Sequence, residues 1–146
     1  MYNLHAMKAH APESARYGGI ASFYDILFGP VNAPLSRVGI ALSRLQPGMR
    51  VLDVCCGTGS HLEAHRTHEC QLFGLDASPH MLAVAAGRLG NAAHLDRGDA
   101  GRLPYAAGVF DVVSCKLALH EMSEEARTAL VCEARRVMKR DGRMVL

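Results

Sequence analysis

The sequence lacks long apolar runs and has little excess of either charge. No stretch approaches the roughly 20 apolar residues that a membrane-spanning helix needs, so no integral membrane segment is predicted. The formal net charge is only +2, which does not favour nucleic acid or another polyanion as a partner. The opening residues, MYNLHAMKAHAPESARYGG, contain no hydrophobic segment of the kind found in signal peptides.

Disulfides and repeats are not expected either. The five cysteines are odd in number, and Cys55 and Cys56 are adjacent, which is more typical of a reducing compartment than of a disulfide framework. We therefore expect a cytoplasmic protein. The 146 residues are 49% hydrophobic and 21% charged, a composition that favours one folded domain with a buried core.

Two segments differ in their pattern. Residues 1–48 are rich in aromatic residues, proline and small residues, and we expect them to form an N-terminal helical lid. Residues 49–146 alternate short apolar runs with amphipathic stretches, which predicts β-α-β units and an α/β doubly wound, mainly parallel sheet with helices on both faces. The predicted strands are 51–54, 72–76, 93–95, 110–115 and 143–146, and the predicted helices cover 60–68, begin at Pro79 after Ser78, and begin after Ser123.

A glycine turn follows the first predicted strand, in VLDVCCGTGS (Val51–Ser60). Gly57 and Gly59 let a ligand approach the backbone N–H groups without a Cβ in the way. Leu62 occupies the third glycine position of the dinucleotide fingerprint, and no Gly-Lys-Ser/Thr follows, so neither that motif nor a P-loop is present. The turn is therefore predicted to serve a nucleoside rather than a pyrophosphate or a triphosphate.

Three acids lie near the ends of the first three predicted strands. Asp76 ends the second strand, where a carboxylate can accept both hydroxyls of a ribose. Asp99 follows the third strand, where it can accept from an adenine amino group. Together with Asp53, these acids are expected at the carboxyl edge of the sheet, where open parallel sheets bind ligands.

With these residues, four successive stretches resemble the class I S-adenosylmethionine-dependent methyltransferases. They are VLDVCCGTG, GLDASPHML, GDAGRLPYAAGVFDVVSCKLALHEM and EARRVMKRDGRMVL, within residues 49–146. The ubiquinone/menaquinone-type group is the most similar. The resemblance implies a Rossmann-like domain over 49–146, S-adenosyl-L-methionine as cofactor, and in-line methyl transfer to a small, lipophilic or quinone-like acceptor. A catalytically silent S-adenosylmethionine-binding module, acting as sensor or partner subunit, is the alternative.

The resemblance also implies roles for individual positions. Asp53 would organise the glycine turn and the methionine amino end, and Asp99 would bind adenine N6 with help from the Ala100 amide. The implied cofactor-binding residues are Asp53, Gly57, Gly59, Asp76, Ala77, Met81, Asp99, Ala100, Lys116, Leu117 and, as a cap from the N-terminal segment, Tyr24 or Tyr17. Cys55 stands where the family often has its first glycine. His120, after the fourth strand, is the candidate catalytic base.

Two other interpretations compete for the cysteines and histidines. His61, His65 and His68 share a face of the predicted helix and Cys70 follows, a set that zinc can accept. We favour histidines on a solvated helix face and predict no metal. Adjacent Cys55 and Cys56 would form only a strained ring, so small thiols at a crowded strand end are favoured over a redox pair.

The resemblance further implies that part of the sheet is missing. Sheets of this family usually have seven strands, whereas the sequence stops at Leu146, within or just after the fifth. We expect the last two strands to be lacking, which leaves the fifth strand on an open edge. A fragment of a longer protein, cover by the N-terminal segment and cover by a second copy each account for this, and a homodimer is the favoured expectation.

Overall fold

One parallel sheet of five strands organises the fold. A computed structural model of the chain describes residues 37–116 and 118–146. The strands are β1 (Arg50–Val54), β2 (Gln71–Asp76), β3 (Ala93–Arg97), β4 (Phe110–Ser114) and β5 (Met138–Val145), and their order across the sheet is β3-β2-β1-β4-β5. Each described strand pair is parallel, so all the carboxyl ends lie at the same edge. The predicted doubly wound α/β architecture is confirmed.

Helices cover both faces of this sheet. They are α1 (residues 37–43), α2 (Ser60–Ala64), α3 (Pro79–Leu89) and α4 (Glu124–Val137). Successive strand residues point to opposite faces, so Val51 packs in one core cluster with α2 and α3, while Leu52 packs in another with α4. Most of the predicted lid over 1–48 lies outside the described residues. Within the described ranges, no helix is both long and apolar enough to span a membrane.

Two helix starts confirm the capping predictions. The Ser78 hydroxyl accepts from the Met81 amide at 3.4 Å, and Pro79 occupies the first turn of α3. The Ser123 hydroxyl accepts from the Ala126 amide at 3.2 Å at the start of α4. Each cap satisfies one of the amides that a helix start leaves without an intrahelical partner, which is why these two boundaries are readable from the sequence.

Two predicted boundaries were wrong. The helix predicted to run to about His68 stops at Ala64 and is followed by a 3-10 turn, because the chain reverses into β2 through the left-handed Glu69. The last strand was predicted to begin at Arg143, after a turn at 141–142, but β5 begins at Met138. Phe110 pairs with Met138 and Val112 with Arg143, so the residues between form a bulge within the strand.

The packing around Gly74 yields a stability prediction. A Cβ at Gly74 in β2 would lie 2.8 Å from Leu62 Cδ1 and from Leu95 Cδ2. Gly74→Ala is therefore expected to destabilise the protein by about 1–3 kcal/mol through overpacking. The matched control is Gly87→Ala in α3, where the added Cβ meets no described atom within 4 Å outside its own helix backbone, and a gain of about 0.5–1 kcal/mol is expected. Urea unfolding measures both changes, and an unchanged midpoint for Gly74→Ala would contradict the packing of α2 on β2.

Candidate functional site

The carboxyl edge of the sheet brings the three predicted acids together. Asp53 lies in β1, Asp76 is the last residue of β2, and Asp99 follows β3. These three strands are adjacent and parallel, so their ends form one continuous edge on one side of the β1–β4 boundary. At that boundary the chain changes the direction in which it adds strands, which is where open α/β sheets place ligands.

The glycine turn after β1 is built from left-handed residues. Gly57 has φ 54° and Gly59 has φ 76°, values that glycine adopts without a steric cost. Cys55 has φ 58°, a conformation that costs a residue with a side chain roughly 1–2 kcal/mol. This position therefore has the left-handed backbone geometry that glycine adopts most readily, and the chain meets it with a small, half-buried cysteine.

Asp76 holds the turn. Its Oδ2 accepts from the Gly57 amide at 2.8 Å, and its Oδ1 accepts from the Ser78 amide at 2.8 Å. We expected Asp53 to organise the turn, but in the structure this contact comes from the second acid. A carboxylate oxygen has two lone-pair positions, so Asp76 retains acceptor capacity for a ligand hydroxyl while it holds the backbone.

Asp53 is buried beneath the turn and bonded to the neighbouring strand. Its Oδ1 accepts from the Ser114 hydroxyl at 2.7 Å. Burial raises the pKa of Asp53 to about 6, although the Ser114 hydrogen bond and the nearby His65 and Lys116 act in the opposite direction. Sequence reasoning missed Ser114, because only the register of β1 against β4 places it beside Asp53. A buried carboxylate of this kind favours a cationic ligand group.

Asp99 is exposed and shapes the loop that follows β3. Its Oδ1 accepts from the Gly101 amide at 2.8 Å. Farther along this loop, Glu133 on α4 accepts from the Leu103 amide at 2.8 Å, and Arg136 donates to the Leu103 carbonyl at 3.0 Å. The Arg136 guanidinium also holds the pKa of Glu133 down, to about 2. The side chains of Glu133 and Arg136 therefore fix the loop after β3 to helix α4.

His61 on α2 and His65 at its C-cap are buried, which corrects the expectation of histidines on a solvated helix face. His61 and His65 are 4% and 0% exposed, and their ring centroids lie 4.5 Å apart. His65 Nδ1 donates to the His61 carbonyl at 2.7 Å. Burial lowers the pKa of His61 to about 4 and also lowers that of His65. The described residues contain no group of three or more His, Cys, Asp or Glu side chains placed to hold a metal ion.

The paired thiols are not poised for chemistry. The pKa of the Cys55 thiol is raised, mainly by a hydrogen bond with Cys115 and secondly by burial. Burial also raises the pKa of the Cys56 thiol. A thiol is a weak nucleophile until it is deprotonated. The structure therefore agrees with small packed thiols at the end of β1.

The other predicted site residues that the structure describes follow β2, β3 and β4 in the chain. Ala77 is exposed after β2, Met81 is buried on α3, Ala100 is half-buried, and Lys116 is half-buried just beyond β4. Leu117, Tyr17 and Tyr24 lie outside the described residues.

His120 lies in a short 3-10 turn farther along the segment after β4. Its side chain is 65% exposed, and its Nε2 lies 3.6 Å from Glu121 Oε1. The described residues therefore leave the imidazole accessible to solvent, with the Glu121 carboxylate beside it.

A contact that the sequence did not indicate links α3 to the glycine turn. Arg88 Nη1 donates to the Thr58 hydroxyl at 3.2 Å. An arginine on a helix is common, so Arg88 by itself did not indicate a contact with the turn. Its partner Thr58 lies 30 residues earlier in the chain, and no local sequence pattern joins the two.

Comparison with known proteins identifies relatives of this arrangement. Residues 51–142 match the family described as methyltransferase domain. An uncharacterised methyltransferase of Synechocystis sp. is 35% identical over 109 residues, which cover 75% of this chain and 49% of that protein. The demethylmenaquinone methyltransferase of Thermotoga maritima is 33% identical over 134 residues, covering 87% and 57%.

A solved structure shares the fold. The YcgJ protein of Bacillus subtilis has a TM-score of 0.69 and 28% identity, covering 75% of this chain and 48% of that one. The chain spans about half the length of the curated relatives it matches.

The buried Asp53 carboxyl predicts a pH-dependent stability. Its folded pKa of about 6 lies above the ordinary value of 3.8, so the folded state retains the proton longer than the unfolded state. Stability from this group is therefore present at low pH and lost as pH rises through about 6, with a total near 3 kcal/mol. Asp53→Asn is expected to gain stability relative to the wild type between about pH 4 and pH 7.

Urea unfolding across this range measures the difference between the two proteins. The exposed, uncharged change Asn91→Ala is the control, and its difference from the wild type should not vary with pH. A constant difference for Asp53→Asn would show that the carboxyl is not buried as described.

Proposed function

Since this chain belongs to the methyltransferase domain family, we propose that it binds S-adenosyl-L-methionine and catalyses methyl transfer to a small acceptor. Methyltransferases of this kind use that cofactor. The observation that carries the proposal is the contact between the glycine turn and Asp76, in which one carboxylate holds the turn and ends the strand beside it. This is the position from which an acid can bind a ribose.

The space at Gly57 fits the cofactor. Among the described residues, and apart from its chain neighbours, a Cβ built at Gly57 meets no atom within 4 Å, whereas one built at Gly59 would lie 2.8 Å from Leu89 Cδ1. One glycine therefore faces open space and the other faces α3. The open side lets a nucleoside pass close to the backbone, which a larger residue at Gly57 would hinder. Asp76 would accept from the ribose hydroxyls on this side.

The two ends of the cofactor would meet different acids. Ala77 and Met81 would border the adenine, and Asp99 with the Ala100 amide would bind its N6. At the other end Asp53, with its buried carboxylate, would attract the ammonium group of the methionine moiety through the turn. Both ends of the cofactor would then be held at the carboxyl edge of the sheet, where open parallel sheets bind ligands.

The bound cofactor supplies a methyl group that its sulfonium already activates. The protein must then position an acceptor in line with the methyl group and exclude water, and positioning of this kind can be worth about 7–11 kcal/mol. Lys116, Leu117 and Tyr24 are the residues proposed to border the methionine end. His120 is proposed to take the proton that the acceptor loses, in the manner of a general base.

A small quinone-like or other lipophilic compound is the proposed acceptor. Support comes from relatives named for such substrates, among them the Thermotoga maritima demethylmenaquinone methyltransferase. A second function, cofactor binding without methyl transfer, is favoured by one observation: the side chain of the candidate base His120 is 65% exposed. A homodimer that covers the β5 edge of the described sheet, and a cytoplasmic location, stay predictions.

Cofactor binding is tested with Asp76→Asn. The variant is expected to bind S-adenosyl-L-methionine about 10- to 100-fold more weakly, because the ribose hydroxyls lose an ionised acceptor. Isothermal titration calorimetry measures the affinity. Asp111→Asn is the matched control, because Asp111 accepts from the Arg50 amide and Lys139 at the amino end of the strands. Equal affinity for wild type and Asp76→Asn would remove Asp76 from the site, and no binding by the wild type would overturn the proposed function.

Catalysis is tested with His120→Ala. Turnover is expected to fall about 100-fold or more, while cofactor affinity changes less than about twofold, since the imidazole would act on the acceptor. The measurement is release of S-adenosylhomocysteine with a short-chain demethylmenaquinol. His94→Ala is the control, because its side chain is 66% exposed on β3, close to the 65% of His120. Full turnover in His120→Ala would exclude it as the base, and binding without any product release would favour the second function.

A further inference from the structure

Two contacts restrain the glycine turn: one with Asp76 at the end of β2 and one with Arg88 on α3. We propose that Arg88 is a positioning residue that holds this turn, through Thr58, in the conformation that receives the cofactor. The inference rests on the proposed function, because it concerns the same turn. It assigns a role to a residue outside the predicted set of cofactor-binding residues.

The contact joins the glycine turn to α3, and its acceptor, Thr58, is buried. Thr58 lies between the two left-handed glycines of the turn and is only 4% exposed. Its hydroxyl oxygen accepts from Arg88 Nη1 at 3.2 Å. The other side of the guanidinium faces Glu63 on α2, with Nε 3.3 Å from Oε2. One cation therefore joins the turn, the helix that follows it and the next helix of the chain.

Close packing places α3 where this contact can form. A Cβ at Gly59 would lie 2.8 Å from Leu89 Cδ1 and 3.1 Å from Ala85 Cβ, so the turn rests directly on the helix. Arg88 extends from the same part of α3 and adds a directional, charge-assisted bond to this apolar contact. The packing sets the distance of the turn from α3, and the guanidinium sets the position of the Thr58 hydroxyl.

The two holds act on neighbouring residues of the turn. Asp76 accepts from the Gly57 amide, and Arg88 donates to the hydroxyl of the next residue, Thr58. Glycine has more conformational freedom to lose than any other residue, so a turn with two glycines gains most from such restraints. When Asp76 also binds a ribose, the contact with Arg88 still restrains the turn. A turn ordered in advance binds its ligand with a smaller entropic cost.

The affinity test is a double-mutant cycle on the full chain. Thr58→Val removes the hydroxyl and keeps the shape, and Arg88→Met removes the guanidinium and keeps most of the length. Each variant is expected to bind S-adenosylhomocysteine about tenfold more weakly by calorimetry. The double variant is expected to bind no more weakly than the single variant with the lower affinity. Arg66→Met is the matched control with unchanged affinity, because Arg66 also pairs with Glu63, at 3.9 Å.

Hydrogen exchange of the cofactor-free protein separates a role in the turn from general stability. Amides of residues 56–60 are expected to exchange faster in Thr58→Val and Arg88→Met, and unchanged in Arg66→Met, while the amides of β1 and β2 keep their protection. Unchanged exchange in the turn, wild-type affinity in Arg88→Met, or fully additive losses would overturn the inference. A wild-type protein that binds no S-adenosylhomocysteine would refute the proposed function, and turn exchange would then decide alone whether Arg88 orders the turn.

Discussion

The bidentate use of the Asp76 carboxylate is the interaction on which the site depends. One oxygen accepts from the Gly57 amide and the other from the Ser78 amide, both at 2.8 Å. The same side chain therefore ends β2, holds the turn after β1 and supports the start of α3. Hydrogen bonds to an ionised acceptor are stronger than neutral ones, so these three elements share one well-defined relative position before any ligand is present.

Beneath this carboxylate lies a polar layer within an otherwise apolar face. Asp53, His61 on α2 and His65 at the C-cap of α2 are buried there, and burial favours the neutral form of each. The pKa of Asp53 rises to about 6 and that of His61 falls to about 4. As pH rises from about 4 to about 6, the contribution of Asp53 to the stability of the folded protein falls while that of His61 rises. The two contributions therefore oppose each other. Within this layer, the buried acid therefore offsets part of the pH dependence that His61 contributes.

Local signals predicted much of the fold. The strands from 51, 72, 93 and 110 and the caps at Ser78 and Ser123 depend on residues close together in the sequence. The end of α2 and the start of β5 were predicted wrongly. Glu69 reverses the chain in a left-handed conformation that its residue type does not announce, and the bulge in β5 arises from its pairing with β4.

The sequence by itself determined the order of the elements, the glycine turn and the presence of an acid at the end of each of the first three strands. These features depend on the backbone preferences of individual residues and on the side-chain periodicities, about 2 residues in strands and about 3.6 in helices. Only the tertiary structure decided that Ser114 bonds Asp53, that Arg88 reaches Thr58, and that His61 is buried. Each of these depends on strand register or on the face a helix presents, and both are set by packing between segments that are distant in the chain.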